Sequence, residues 1–204
     1  MKLITTIALV AAFALSLFGV VALSDAGCGA CGAAPEPQAP STPAVSATTP
    51  FQVLDVTGPA KGQKLCYICR YGGRPSLVVF TRRTDGHFPE LVKAIDRSVA
   101  DNKAARMAGF VVLLGENSEA NRAGLTKLAT DLGLTIPLTI AADGAKGPAA
   151  YGLDGHFDTL VLVSNRNKVL DSVALHCDAR QCDSKACAGI GRVAQAAAGM
   201  LKGI

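Results

Sequence analysis

Ser76-Leu77-Val78-Val79-Phe80-Thr81 is the stretch on which the fold turns. Four apolar residues in a row, flanked by small hydroxyl side chains, leave no polar face. Such a run suits a strand covered on both sides, at the centre of a sheet rather than its edge. The period then changes. Phe88, Leu91, Val92, Ile95 and Val99 recur at helical spacing. Pro89 falls in the first turn, where its missing N–H leaves no bond unmade.

Outward from this strand–helix pair the same alternation repeats. Upstream, Phe51-Gln52-Val53-Leu54-Asp55-Val56 alternates and meets Thr57-Gly58-Pro59, a short strand and turn. Downstream, residues 109–114 (Gly-Phe-Val-Val-Leu-Leu) read as a second buried strand. Leu125, Leu128, Ala129 and Leu132 line a helix that Ser118 caps and Gly133 ends. Ile136-Pro137-Leu138-Thr139-Ile140 is a short strand. Residues 158–163 and 168–175 form a hairpin across Ser164-Asn165-Arg166-Asn167. Ile190, Val193, Ala197, Leu201 and Ile204 lie on one face of a last helix. Strands alternating with helices imply parallel neighbours joined by right-handed crossovers, and the terminal hairpin makes the sheet mixed.

The N-terminus has a different character. Met1-Lys2 is followed by an almost wholly apolar run from Leu3 to Leu23, and Ser24-Asp25-Ala26 offers a small-x-small cleavage pattern. Residues 1–26 are therefore expected to be a signal peptide. The alternatives are an uncleaved membrane anchor, because the run approaches the ~20 residues that span a bilayer, and a lipoprotein signal with lipid on Cys28. All three place the folded part outside the cytoplasm, in the periplasm or cell envelope. Residues 27–50, rich in Pro and Ala and carrying Cys28 and Cys31, bury too little apolar surface to order themselves and read as a tether. Residues 51–204 are the right length for one domain with a real core. The net charge is only +4, and no Lys/Arg cluster interleaves with aromatics, so a nucleic-acid partner is not expected.

Cysteine carries the chemistry. Cys66-Tyr67-Ile68-Cys69 is a CxxC pair in an exported chain, where thiols are normally bonded, redox-active or metal-bound. On a strand, positions three apart point to opposite faces. On a helical turn they share a face and can pair or chelate. Gly72-Gly73 just beyond supports a tight turn, so residues 65–69 form either an extra strand or a short helical turn. Arg70 and Arg74 favour a thiolate. His176-Cys177, Cys182 and Cys187 form a second group in a polar stretch before the last helix. Its residue types suit Zn²⁺ or Cu⁺, and one disulfide pinning a loop is the simpler alternative. Seven cysteines cannot all pair within one chain.

Four features carry a resemblance to a known family. They are the opening Phe51 with Val56 and Gly58, the strand Leu77-Val78-Val79-Phe80, the segment Leu134-Thr135-Ile136-Pro137, and Tyr151-Gly152 before the hairpin. Together they resemble the thioredoxin-like superfamily, and more closely its redoxin branch of peroxiredoxins and thiol–disulfide proteins, over residues 51–204. The resemblance implies a three-layer α/β fold, a mixed central sheet with helices on both faces. It also implies thiol–disulfide redox chemistry on protein thiols or disulfides, or with a redox partner protein. The family places its reactive cysteine just after the central strand. Here that place reads Thr81-Arg82-Arg83-Thr84-Asp85-Gly86-His87 and holds none. Its cis-proline position likewise reads His156-Phe157-Asp158-Thr159.

Three functions follow. In the first, Cys66 and Cys69 exchange with substrate disulfides, with Cys177, Cys182 or Cys187 as resolving partners and no cofactor required. In the second, cysteines and His176 form a copper or zinc module. In the third, a non-catalytic scaffold is stabilised by its disulfides.

Overall fold

The computed structural model describes residues 44–153, 157–175, 191–193 and 195–199, all within one unit of the chain. The apolar run Ser76–Thr81 forms β3, and all six of its residues are buried. It sits inside a seven-stranded sheet of order β2-β1-β5-β4-β3-β6-β7. The other strands are β1 (Val53–Asp55), β2 (Lys64–Leu65), β4 (Ala108–Leu113), β5 (Leu138–Ala141), β6 (Thr159–Asn165) and β7 (Lys168–Leu175). β3, β4 and β5 run parallel, and β1, β6 and β7 pair antiparallel to their neighbours. The sheet is mixed, as the alternation of elements and the terminal hairpin predict.

Two helices link the parallel strands. α2 (Phe88–Asp101) buries Phe88, Leu91, Val92 and Ile95, with Pro89 in its first turn. α3 (Glu119–Leu132) is capped by Ser118, whose Oγ accepts the Asn121 N–H at 3.1 Å. Both pack on one face of the sheet, against Leu77, Val79, Val111, Leu138, Ile140 and Val161. Val193 and Ala197, from the helical residues near the C-terminus, join the same core. The odd-numbered residues of β3 face this side and the even-numbered ones the other, as the period of a strand requires.

The opposite face holds Val78, Phe80, Phe110, Val112, Leu160 and Leu162. A short helix, α1 (Tyr67–Tyr71), covers it with Tyr67 and Ile68, and a single 3-10 turn at Ala149–Tyr151 adds Tyr151. Helices therefore lie on both faces. Phe51 fills the space between these two caps, its ring 5.5 Å from Phe80 and 5.3 Å from Tyr151.

Residues 44–50 differ from the tether that their composition suggests. Thr48 N–H donates to Asn167 O at 2.8 Å, and Ser46 O accepts the Val169 N–H. The Tyr151 hydroxyl accepts the Thr49 N–H at 2.9 Å and donates to Thr49 O at 2.7 Å. Tertiary partners supply what local composition lacks, and the chain is already pinned to the sheet edge at Ala47. Cys28 and Cys31, the cleavage site and the rest of the tether lie outside the described residues. Among the described residues no helix is long and apolar enough to cross a membrane.

Candidate redox site

Cys66 and Cys69 are bonded to each other, with Cα atoms 5.3 Å apart. Of the two geometries open to residues 65–69, the chain adopts a helical turn. Cys66 is its N-cap residue, extended at φ −106°, ψ 107°, and the first turn brings Cys69 back over it. Cys69 N–H donates to Cys66 Sγ at 3.1 Å. The turn stops at Gly72, which takes the left-handed conformation at φ 59°. Gly73 follows at φ 77°, so the pair reverses the chain into β3 as their freedom from a Cβ allows.

The two sulfurs are not equivalent. Cys69 is exposed, whereas Cys66 is half-buried against the core with Leu65 and Tyr71. An incoming thiolate therefore meets Cys69 first.

A five-residue helix is too short to persist alone, and here two tyrosines hold it. The Tyr67 hydroxyl donates to Asp55 Oδ2 at 2.8 Å, and the Tyr71 hydroxyl donates to Gly109 O at 3.0 Å. Their rings lie 5.4 Å apart and 5.2 Å and 5.8 Å from Phe110. Burial, then the hydrogen bond to Asp55, pushes the Tyr67 phenol well above the ordinary tyrosine range. Burial does the same to Tyr71 against the opposing pull of Arg74 and Arg70. Both phenols are therefore fixed donors. Asp55 is 1% exposed, and it also accepts the Gly58 N–H at 2.7 Å and the Ala60 N–H at 2.8 Å, so its charge is well satisfied.

The CxxC spacing alone does not mark these anchors, because within it Tyr67 is only one of two intervening residues. The signal that marks them is the four-residue interval between Tyr67 and Tyr71, which puts two of the chain's three tyrosines on one side of a helical turn. Arg74 donates its Nε to Tyr71 O at 2.9 Å and stacks over the Tyr71 ring at 5.3 Å. Arg70 is exposed. Neither is hydrogen-bonded to a cysteine sulfur.

The disulfide sits at the Ser76 end of β3. Ala108 N–H donates to Pro75 O at 2.9 Å, and Tyr71 reaches Gly109 at the start of β4. The loop after Thr81 is at the other end. It carries no cysteine, and α2 begins there with His87 at the cap position, making no side-chain cap bond. Arg82 donates to Ala145 O at 3.0 Å and Leu153 O at 2.9 Å, tying the loop down. The register Thr81–Thr159–Leu175 shows that β7 also ends on this far edge. His176, Cys177, Cys182 and Cys187 follow Leu175 and lie outside the described residues.

The expectation of a copper or zinc centre is corrected. Cys66 and Cys69 have spent their sulfur valence on each other. Among the described residues, no group of three or more His, Cys, Asp or Glu side chains converges to hold a metal ion. The nearest carboxylate along the chain, Asp55, is instead enclosed by its three donors.

No protein-family model matches the chain, and no curated protein does. Solved structures match its fold. A candidate protein disulfide isomerase from Bacteroides thetaiotaomicron is 17% identical, with a TM-score of 0.57 over 78% of this chain and 89% of that one. A peroxidoxin of Mycobacterium tuberculosis is 15% identical, with a TM-score of 0.52 over 74% and 98%. A secreted disulfide oxidoreductase of M. tuberculosis is 10% identical, with a TM-score of 0.51 over 73% and 95%. The fold is therefore thioredoxin-like. Within it lies a CxxC-spaced disulfide, an arrangement consistent with thiol–disulfide redox chemistry.

Proposed function

We propose that the protein is an exported thiol–disulfide oxidoreductase whose reactive pair is Cys66 and Cys69. The observation that carries this reading is an exposed Cys69 in a disulfide on a helical turn that Tyr67 and Tyr71 dock independently of the bridge. A bridge across three positions is a poor staple. The chain-entropy model gives it only about 2 kcal/mol, against about 4.7 kcal/mol for a hundred-residue loop. The scaffold alternative is weaker for that reason.

In the forward step a partner thiolate attacks Cys69 Sγ. A partner–Cys69 bond forms, the Cys66–Cys69 bond breaks, and Cys66 leaves as a thiolate that keeps the Cys69 N–H as its donor. A second thiolate of the partner then attacks the partner's own sulfur in the mixed disulfide and releases Cys69. The partner loses two electrons and gains a disulfide, and the CxxC pair gains both electrons. Run backwards, the same exchange reduces a partner.

The apolar N-terminus, with cleavage after Ala26 or lipid on Cys28, supports a place in the periplasm or envelope, as does the secreted relative in fold. Residues 1–26 direct export, the following residues form the tether, and the thioredoxin-like domain carries the chemistry to protein thiols. Cys177, Cys182 and Cys187 are candidates to bond with one another or with a partner.

The test is alkylation and mass spectrometry of the full chain across graded redox buffers. Trypsin cuts after Lys64 and Arg70, so one peptide holds both cysteines. The expected result is one bond that opens and recloses at a potential above about −300 mV, the level below which structural disulfides lie. A bond that stays closed in strongly reducing buffer, or cysteines bonded elsewhere, overturns the reading.

A further inference from the structure

The excess positive charge of this chain lies in the sequence segment that carries its disulfide. The whole sequence has 20 Lys and Arg against 16 Asp and Glu. Between Asp55 and Asp85 there are six basic residues and no acid, which leaves the rest with 14 basic against 16 acidic, a net of −2. The excess thus belongs to the segment that carries the CxxC.

Topology sorts these six. Arg82 and Arg83 lie beyond Thr81 at the far edge, Arg82 on backbone carbonyls and Arg83 paired with Asp85. Lys61 turns toward α3, beside Thr126 and Thr130. Lys64 in β2, Arg70 in α1 and Arg74 just after it remain beside the disulfide. The fold adds a fourth cation from far along the chain. Arg166, in the β6–β7 turn, donates its N–H to Gly73 O at 2.7 Å and so abuts the turn that ends α1. Lys64, Arg70 and Arg166 are exposed, and among the described residues none of the four forms an ion pair with a carboxylate. Asp55 is sealed beneath α1. Asp101, exposed at the same edge of the sheet, is accompanied by exposed Lys103 and Arg106.

We propose that this basic rim selects the substrate: the CxxC pair exchanges with cysteines carried on acidic polypeptide segments. The inference rests on the thiol-exchange reading above and adds its substrate class. Several like charges within about one Debye length (~8 Å at physiological salt) raise the encounter rate of an anionic partner and repel a cationic one. Lys64 and Arg70 flank the CxxC on both sides in sequence, so acidic residues on either side of the incoming cysteine find a counter-charge.

Three peptides of equal length test this, each with one cysteine among Asp, Ser or Lys residues. Each is reacted with the oxidised full-length protein, and opening of the bond is read from the mass of whichever tryptic peptide holds both Cys66 and Cys69. Each rate is divided by the same peptide's rate with a small uncharged disulfide, which removes differences in thiolate fraction. The Asp peptide is expected to react about tenfold or more faster than the Lys peptide at low salt. The ratio is expected to fall toward one in high salt, and to invert in the Lys64→Glu/Arg70→Glu variant. Equal rates for all three peptides, or a salt-independent ratio, overturn the proposal alone. No reaction with any of them, the Ser peptide included, overturns the thiol-exchange reading and the proposal with it.

Discussion

The Tyr67 hydroxyl donates a 2.8 Å hydrogen bond to the buried carboxylate of Asp55, twelve residues earlier, and by this bond the helical turn carrying the disulfide is fastened to β1. Asp55 in turn closes its own loop through the Gly58 and Ala60 N–H groups. One carboxylate thus organises both the turn after β1 and the seat of the CxxC.

Tyr67→Phe removes one donor and keeps the ring. A buried hydrogen bond to a charged group contributes about 1.5–3 kcal/mol. The variant is expected to lose stability of that order in urea denaturation. Its reduction potential is expected to move upward, because a looser α1 holds the two thiols less often in bonding range. An unchanged potential with lowered stability would make Tyr67 a structural residue only.

Gly58→Ala tests the same node from the other side. A Cβ at this position would lie 2.5 Å from the Tyr67 hydroxyl oxygen and 2.7 Å from both carboxylate oxygens of Asp55. Something must move, at a cost of about 1–3 kcal/mol. A thermal midpoint equal to that of the parent protein would show that the node relaxes freely.

All three tyrosines of the chain are held protonated, Tyr67, Tyr71 and Tyr151 alike, with burial the leading cause in each. An unfolded chain ionises its phenols near pH 10. The folded-state values lie higher, so this stabilisation is complete below about pH 10 and falls as the pH rises above it. Absorbance at 295 nm is expected to show no phenolate step in the folded protein near pH 10. Phenolate is expected to appear together with loss of the circular dichroism signal. A separate step before unfolding would contradict the burial of these rings.

Reduction of Cys66–Cys69 is expected to leave the domain folded, since two tyrosines and Ile68 still dock α1. With about 2 kcal/mol from so short a loop, the melting midpoint should fall by less than about 8 °C. Collapse of the fold on reduction would favour a structural bridge.

Cys66→Ser leaves the exposed Cys69 thiol without its resolving partner. Its thiolate attacks an added disulfide-linked peptide dimer and releases one peptide thiolate, so it is expected to accumulate the mixed disulfide severalfold more than Cys69→Ser, whose remaining thiol is half-buried. Equal trapping, read by non-reducing mass analysis, would remove the distinction between the two sulfurs.

The sequence by itself determined the elements. The unbroken apolar run of β3, the helical recurrence from Phe88 to Val99, the Ser118 cap and the Gly133 stop are local patterns, and each sets a local structure without reference to distant residues. The thioredoxin-like order followed from their succession, and the pairing of Cys66 with Cys69 was one of the options that their spacing allowed. Only the tertiary structure decided which option holds. Strand direction and register place the CxxC at the Ser76 end of the sheet while the far loop and Leu175 share the other end, and no local pattern carries that information. The bond from Tyr67 to Asp55, the packing of residues 44–50, and the approach of Arg166 to Gly73 are contacts across the chain. They exist because burial leaves polar groups to be satisfied by whichever distant partner the fold brings near.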